Sequence, residues 1–112
     1  DIYYMTNTDN LEKLLAKGMD SALLRFGLGS AYFNTGNYTE AVEHLQRCIA
    51  LDSDYTAAFK LLGKALYHQQ QWQAAVDVFS QGCESALQNG DKQAEKEMQV
   101  FTQKIKRRLS KH

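Results

Sequence analysis

The sequence repeats itself with a period of 34 residues, and this internal repeat most constrains what the chain can fold into. Displacing the sequence by 34 residues brings seven small, apolar or aromatic positions onto positions of the same type. Five of the seven pairs are identities, an agreement that chance seldom produces. The pairs are Leu28 with Leu62, Gly29 with Gly63, Ala31 with Ala65, Tyr38 with Trp72, Ala41 with Ala75, Val42 with Val76 and Leu45 with Phe79.

Each repeat contains two helical patterns separated by a turn. In the first repeat the turn is Asn34-Thr35-Gly36-Asn37, where Gly36 suits the end of one helix and Asn37 the start of the next. In the second repeat Gln69-Gln70-Gln71 occupies the same place. Apolar residues recur at steps of three and four on both sides of each turn, which predicts amphipathic helices. In the first repeat these stripes are Leu24, Leu28, Ala31 and Tyr32, then Tyr38, Ala41, Leu45, Cys48 and Ile49.

Helical patterns outside the repeats predict a capping helix at each end, because a helical repeat cannot bury both of its faces alone. Leu11 and Leu14 occupy the repeat positions of Leu45 and Cys48, so they predict an N-terminal cap. We therefore predict one all-α domain over 9–109. It comprises an N-cap helix over 9–18, repeats over 22–55 and 56–89, and a C-cap helix over 91–109. We expect residues 1–8 to be disordered or left from cloning. Met5 resembles a natural start, in which case residues 1–4 would be the part left from cloning.

Composition narrows the function classes. The chain has 112 residues, with 13 basic and 13 acidic side chains, and zero net charge argues against a protein that coats nucleic acid. No apolar run has the length of a membrane helix, and the first residues lack a signal-peptide pattern. Cys48 and Cys83 lie on apolar stripes, where Cys acts as a small hydrophobic residue. We expect a cytoplasmic protein that is not an enzyme and uses no cofactor, since no catalytic motif occurs.

The pattern Leu28-Gly29-x-Ala31-Tyr32, followed by Gly36-x-Tyr38-x-x-Ala41 and Leu45, resembles the tetratricopeptide repeat (TPR). So does Leu62-Gly63-x-Ala65-Leu66, followed by Trp72-x-x-Ala75 and Phe79. The resemblance covers about 22–88 and is to the small single-domain bacterial members of the family. It implies a right-handed superhelix of antiparallel helix pairs with a concave groove that binds a peptide. The departures are Arg25 at a usually apolar position, Ser53 in place of Pro, and Gln70 in place of Gly.

The resemblance also implies which residues line that groove, because the first helix of each pair faces it. Phe26, Phe33 and Tyr67 would bury apolar anchors of a partner. Lys60 and Lys64 would pair with its acidic groups. Ser30, Asn34 and His68 would offer hydrogen bonds. The full predicted set is Leu23, Phe26, Ser30, Phe33 and Asn34 with Lys60, Lys64, Tyr67 and His68, joined by Ala57 and Leu61.

Two observations limit this prediction. Some family members bind the C-terminal carboxylate of a chaperone with Lys, Asn and Arg side chains. In this sequence Phe26, Ser30 and Leu61 occupy three of those positions, which argues against binding of this kind. The capping helices of so short a chain are also able to fill the groove and cover Phe26 and Phe33. We expect the partner to be an unidentified protein or peptide. We expect the chain itself to be a monomer or a weak homodimer.

Two alternative functions stay open. One is a homo-oligomerising scaffold that uses the apolar strip for self-association. The other is binding of RNA or an acidic ligand by the C-terminal helix, since residues 91–112 hold seven basic residues against three acidic ones. Cations also belong at a helix C-terminus, where they complement its dipole. No metal site is predicted, because His44 and Cys48 supply only two ligands.

Overall fold

A computed structural model describes residues 7–111 and confirms the predicted all-α architecture of helix pairs. Within this range no strand occurs, and no helix is both long and apolar enough to cross a bilayer. Of the segment 1–8 that was expected to be disordered or left from cloning, residues 1–6 lie outside the described residues, whereas residues 7 and 8 belong to the first helix. The helices are α1 (Asn7–Ala16), α2 (Ala22–Asn34), α3 (Tyr38–Leu51), α4 (Thr56–His68), α5 (Trp72–Gln88) and α6 (Lys92–Ser110).

The turns within the two repeats share one geometry. The amide of Asn37 donates to the carbonyl of Tyr32 at 2.9 Å, and the amide of Gln71 donates to the carbonyl of Leu66 at the same distance. These bonds close the helix ends around a residue with left-handed backbone. That residue is Gly36 in the first turn, at φ 79°, and Gln70 in the second, at φ 62°. The turn geometry is therefore conserved inside the molecule although only one of the two turns has glycine.

The helices form a curved stack in chain order. Each helix packs on the next, and α4 additionally touches α2 on one side and α6 on the other. The odd-numbered helices α1, α3 and α5 make no corresponding contacts with one another in the described range. The even-numbered helices consequently lie on the inner side of the curve. We call the face formed by α2, α4 and α6 the inner surface.

Close helix approach within each pair depends on glycine. A Cβ atom built on Gly63 would lie 2.6 Å from Cδ1 and Cζ of Phe79, and one built on Gly29 would lie 2.6 Å from Cγ of Leu45. Leu45 and Phe79 are completely buried. Each large side chain on the second helix of a pair thus occupies the space that glycine leaves on the first.

The two ends of the stack differ in polarity. At the N-terminal edge, α1 and α2 leave an apolar groove of about 680 Å³. Leu14, Met19 and Leu23 are 37%, 57% and 72% exposed along it. At the C-terminal edge, the outer face of α6 is polar apart from one exposed valine. That face consists of Gln93, Lys96, Val100, Gln103 and Arg107, all exposed.

Candidate functional site

The structure divides the predicted groove residues into two groups. Leu23, Ser30 and Asn34 lie toward α1: Leu23 lines the apolar groove at the N-terminal edge, and the other two border a shallow depression that includes Asn10. The second group lies on the inner surface and its neighbouring turns. It consists of Phe26, Phe33, Lys60, Lys64, Tyr67 and His68. The predicted set therefore faces two different surfaces rather than one.

Phe26 and Phe33 pack against rings from the following helices. The ring centroid of Phe26 lies 5.0 Å from that of Tyr55, and the ring of Phe33 meets Tyr38 edge-on at 5.4 Å. Both phenylalanines are half-buried. Each therefore joins α2 to the next helix or loop while leaving part of its ring accessible.

His68 and Tyr67 continue this aromatic cluster at the end of α4. The imidazole of His68 stacks on Tyr38 with centroids 4.6 Å apart and planes inclined by 5°. Tyr67 meets Trp72 and Phe101 edge-on at 5.3 Å and 5.8 Å. His68 is exposed, whereas Tyr67, Trp72 and Phe101 are half-buried. The cluster joins α3, α4, α5 and α6 at one end of the inner surface.

Three cations lie over rings of this cluster. The Nζ of Lys104 is 5.3 Å from the centroid of Tyr67, and the guanidinium carbon of Arg108 is 4.7 Å from that of Trp72. The Nζ of Lys64 lies 5.6 Å from the centroid of Phe101. A cation over a ring face is attracted by the ring's electrons, which orients the long side chain. Among residues 7–111, no carboxylate forms an ion pair with any of these three cations.

Lys60 differs from these cations because it is already paired. Its Nζ donates to Oε2 of Glu97 at 2.8 Å, joining α4 to α6. The hydrogen bond from Lys60 is the main reason that the pKa of Glu97 lies below its ordinary value. Of the two lysines predicted to receive acidic groups, only Lys60 is therefore held in a direct ion pair within the described residues, although the charge of Lys64 also lowers the pKa of Glu97.

Sequence reasoning missed the contribution of α6 to the inner surface. Lys60, Lys64 and Tyr67 contact residues of α6 that come 37 positions later, not 34. The start of α6 follows that of α4 by 36 residues, whereas α4 follows α2 by 34, because α5 has 17 residues and α3 has 14 while the loop after α5 is one residue shorter.

Arg25, which departs from the family pattern, belongs to a polar cluster that joins α1, α2 and α3. Its guanidinium donates to Asp20 at 2.8 Å and to Nδ1 of His44 at 3.0 Å. The Nε2 of His44 lies 3.4 Å from Glu12 of α1. Desolvation by burial lowers the pKa of His44, an effect that Glu12 opposes and Arg25 reinforces. This cluster anchors the N-terminal helix and leaves little of the imidazole accessible.

The cysteines and the acidic residues offer no reactive or metal-binding arrangement in the described range. Cys48 is completely buried, and burial raises the pKa of its thiol to about 11. Burial also raises the pKa of the Cys83 thiol. A nucleophilic cysteine needs a lowered pKa, so these shifts act against thiolate chemistry. Between residues 7 and 111, no three His, Cys, Asp or Glu side chains converge to hold a metal ion.

Comparisons with known proteins agree with this architecture. A family model for the TPR repeat matches residues 29–70. The TPR repeat-containing protein PA0015 of Pseudomonas aeruginosa is 52% identical over 99 residues, which are 88% of this chain and 94% of that protein. Proteins built from such repeats generally mediate protein–protein interactions and are generally non-catalytic.

Two solved structures have the same fold. The solution structure of the Bordetella parapertussis protein BPP2914 has a TM-score of 0.81 and 36% identity, over 93% of this chain and 90% of that one. The solution structure of a TPR domain protein from Salinibacter ruber has a TM-score of 0.70 and 23% identity, and the match covers 77% of this chain and 87% of that one. At this identity the likeness supports the fold alone. Together with the repeat period and the paired glycines, the relative at 52% identity shows that this chain belongs to the tetratricopeptide-repeat family.

Proposed function

We propose that the protein binds a segment of another protein along its inner surface. The observation that carries the proposal is the set of cations held over aromatic rings, Lys64, Lys104 and Arg108, none of which forms a direct ion pair in the described residues. Aromatic residues and arginine are the side chains most often found at the energetic centre of protein interfaces. A surface that combines both on a rigid helix stack favours recognition over catalysis.

The rigidity of this surface would help binding. Lys60 and Glu97 join α4 to α6, and the stacked pair of Tyr38 and His68 joins α3 to α4. Side chains already held in place lose less conformational freedom when a partner binds. In the proposed complex, Phe26 and Phe33 supply apolar contact along α2, while His68 and Lys64 supply polar contact along α4.

In-cell photocrosslinking tests the proposal. A benzoylphenylalanine is placed at Lys64 or His68 on the inner surface. As controls it is placed at Glu43 or Asp77, which are exposed and occupy equivalent positions of α3 and α5. We expect discrete adducts with another protein from positions 64 and 68 and none from the controls. Adducts from the control positions alone, or from no position, would refute binding at the inner surface.

Self-association is a second candidate function, favoured by the apolar groove between α1 and α2. Leu23 is 72% exposed there and borders about 680 Å³ of apolar space. Exposed contiguous apolar surface commonly marks an interface. Sedimentation of wild type, Leu23→Ser and Leu87→Ser tests this candidate, because Leu87 is 67% exposed but lies on α5 away from the groove. We expect a concentration-dependent dimer that only Leu23→Ser abolishes; a wild type that stays monomeric would exclude it.

A further inference from the structure

The C-terminal part of α6 contributes a concentration of positive charge to one end of the inner surface. No acidic residue follows Glu97 in the chain, whereas five basic residues do. Four of these five line one shallow depression of about 510 Å³: Lys104, Arg107, Arg108 and Lys111. The depression adjoins the inner surface at Lys104 and Arg108 and the outer face of α6 at Arg107. None of the four forms an ion pair with another described residue. The local charge is therefore uncompensated although the whole chain is neutral.

The ring contacts decide what these cations can bind. Lys104 covers Tyr67 and also lies 5.9 Å from the Phe101 centroid, while Arg108 covers Trp72. Binding of single-stranded nucleic acid relies on bases that stack on aromatic faces. One face of Tyr67 and one face of Trp72 are covered by the protein's own cations, and both rings are half-buried. The arrangement therefore favours an anionic partner that needs charge and hydrogen-bond donors rather than free ring faces.

The spacing of the two cations suits a pair of carboxylates on an extended chain. Lys104 and Arg108 are four residues apart on α6, a rise of about 6 Å along the helix. Side chains two residues apart on an extended segment lie on the same side and are separated by about 6.6 Å. An extended segment with acidic residues at alternate positions therefore matches this pair of donors.

We propose that Lys104 and Arg108 receive an extended acidic protein segment whose carboxylates are two residues apart and both face α6. The inference rests on the proposed function, since it names the class of segment that the inner surface would bind. It also assigns α6 a recognition role in addition to its packing against α4 and α5.

A peptide titration tests the inference. The probe is a fluorescein-labelled peptide amide, Gly-Asp-Phe-Asp-Leu-Asp-Gly, and its control has Asn in place of each Asp. The test variant is Lys104→Gln with Arg108→Gln. The matched variant is Lys96→Gln with Lys106→Gln, which removes the same charge from other faces of α6. Fluorescence anisotropy measures the dissociation constant for each protein at two salt concentrations.

We expect the test variant to weaken acidic-peptide binding by about tenfold and the matched variant by less than about twofold, because only the first removes the groups facing the carboxylates. The Asn peptide should bind wild type weakly. Absence of saturable binding at millimolar acidic peptide would overturn the inference, as would equal weakening in both variants. Tighter binding of a labelled uridylate dodecamer than of the acidic peptide would also overturn it in favour of nucleic acid.

The crosslinking experiment separates this inference from the proposed function. Adducts at positions 64 and 68 that persist unchanged in the Lys104→Gln, Arg108→Gln background would refute the acidic segment and leave inner-surface binding intact. Loss of these adducts in that background, but not in the Lys96→Gln, Lys106→Gln background, would support both. Absence of adducts in every background would refute the proposed function itself.

Discussion

Gly63 sets how closely α4 and α5 approach, so Gly63→Ala should destabilise the fold although alanine favours helices. Alanine replaces glycine in a helix interior with a gain of about 0.8–1 kcal/mol. The new Cβ would lie 2.6 Å from two carbons of the Phe79 ring and nearer still to a third. Phe79 is completely buried and stacks on Phe101 at 5.4 Å, so its ring has nowhere to retreat. Overpacking of this kind costs about 1–3 kcal/mol.

The upper end of that cost applies because the clash involves a stiff ring, and the net loss of unfolding free energy should be about 2 kcal/mol. For a domain of this size the loss corresponds to a fall in Tm of roughly 8–16 °C. Urea unfolding followed by circular dichroism measures it, with an unchanged m-value showing that the unfolded state is the same.

Gly27→Ala is the matched control, since Gly27 is also a helical glycine on an even-numbered helix, half-buried where Gly63 is buried. A Cβ there would meet only the flexible end of Leu11, at 3.2 Å. We expect Gly27→Ala to be neutral or to stabilise by up to about 1 kcal/mol. Phe79→Leu should partly restore the Gly63→Ala protein. If Gly63→Ala unfolds at the wild-type urea concentration, or if both alanine variants lose the same stability, the packing argument is wrong.

Three further predictions concern titration, backbone conformation and thiol reactivity. Because the pKa of His44 in the folded protein lies below its ordinary 6.5, its contribution to stability should be complete above pH 6.5 and should decline as the pH falls below that value. His44→Gln should therefore flatten the decline in urea midpoints measured from pH 7.5 to pH 5. An unchanged slope would contradict this prediction. Gln70→Gly should raise the unfolding free energy by up to about 1 kcal/mol, because it relieves the strain of a left-handed backbone at a residue with a side chain. Gly36→Gln should lower the unfolding free energy by a similar amount. Calorimetry that finds Gln70→Gly less stable than wild type would contradict the presence of this strain. Cys48 should react with iodoacetamide far more slowly in the native protein than in urea, and mass spectrometry showing equal rates would contradict its burial.

Most of the fold could be predicted from the repeat period, because the turn residues and the core residues recur with the same period. Turn residues at Gly36 and Gln70, small residues at Gly29 and Gly63, and large partners at Leu45 and Phe79 recur in register. Each level of structure therefore predicts the same helix pairs. The predicted count of six helices is confirmed for residues 7–111.

The candidate site was less predictable because a helical pattern identifies the outward residues of a helix without identifying their neighbours. Leu23 and Phe26 were both assigned to one groove, yet Leu23 faces the seam with α1 and Phe26 faces Tyr55. Because α5 is longer than α3, α6 also begins 36 residues after α4, whereas α4 begins 34 residues after α2. Lys104 and Arg108 therefore reach Tyr67 and Trp72, a placement that the 34-residue period alone does not predict.

The difference in polarity between the two ends of the helix stack determines where additional helix pairs could be added. A further helix pair inserted between 55 and 56 would meet apolar faces on both sides, because those faces already hold consecutive repeats together. The same pair joined after Ser110 would meet the outer face of α6, where Lys96, Gln103 and Arg107 are exposed and Val100 is the one apolar side chain available to a following helix. Longer arrays designed from this chain should therefore be extended by internal duplication, keeping α6 as the terminal element.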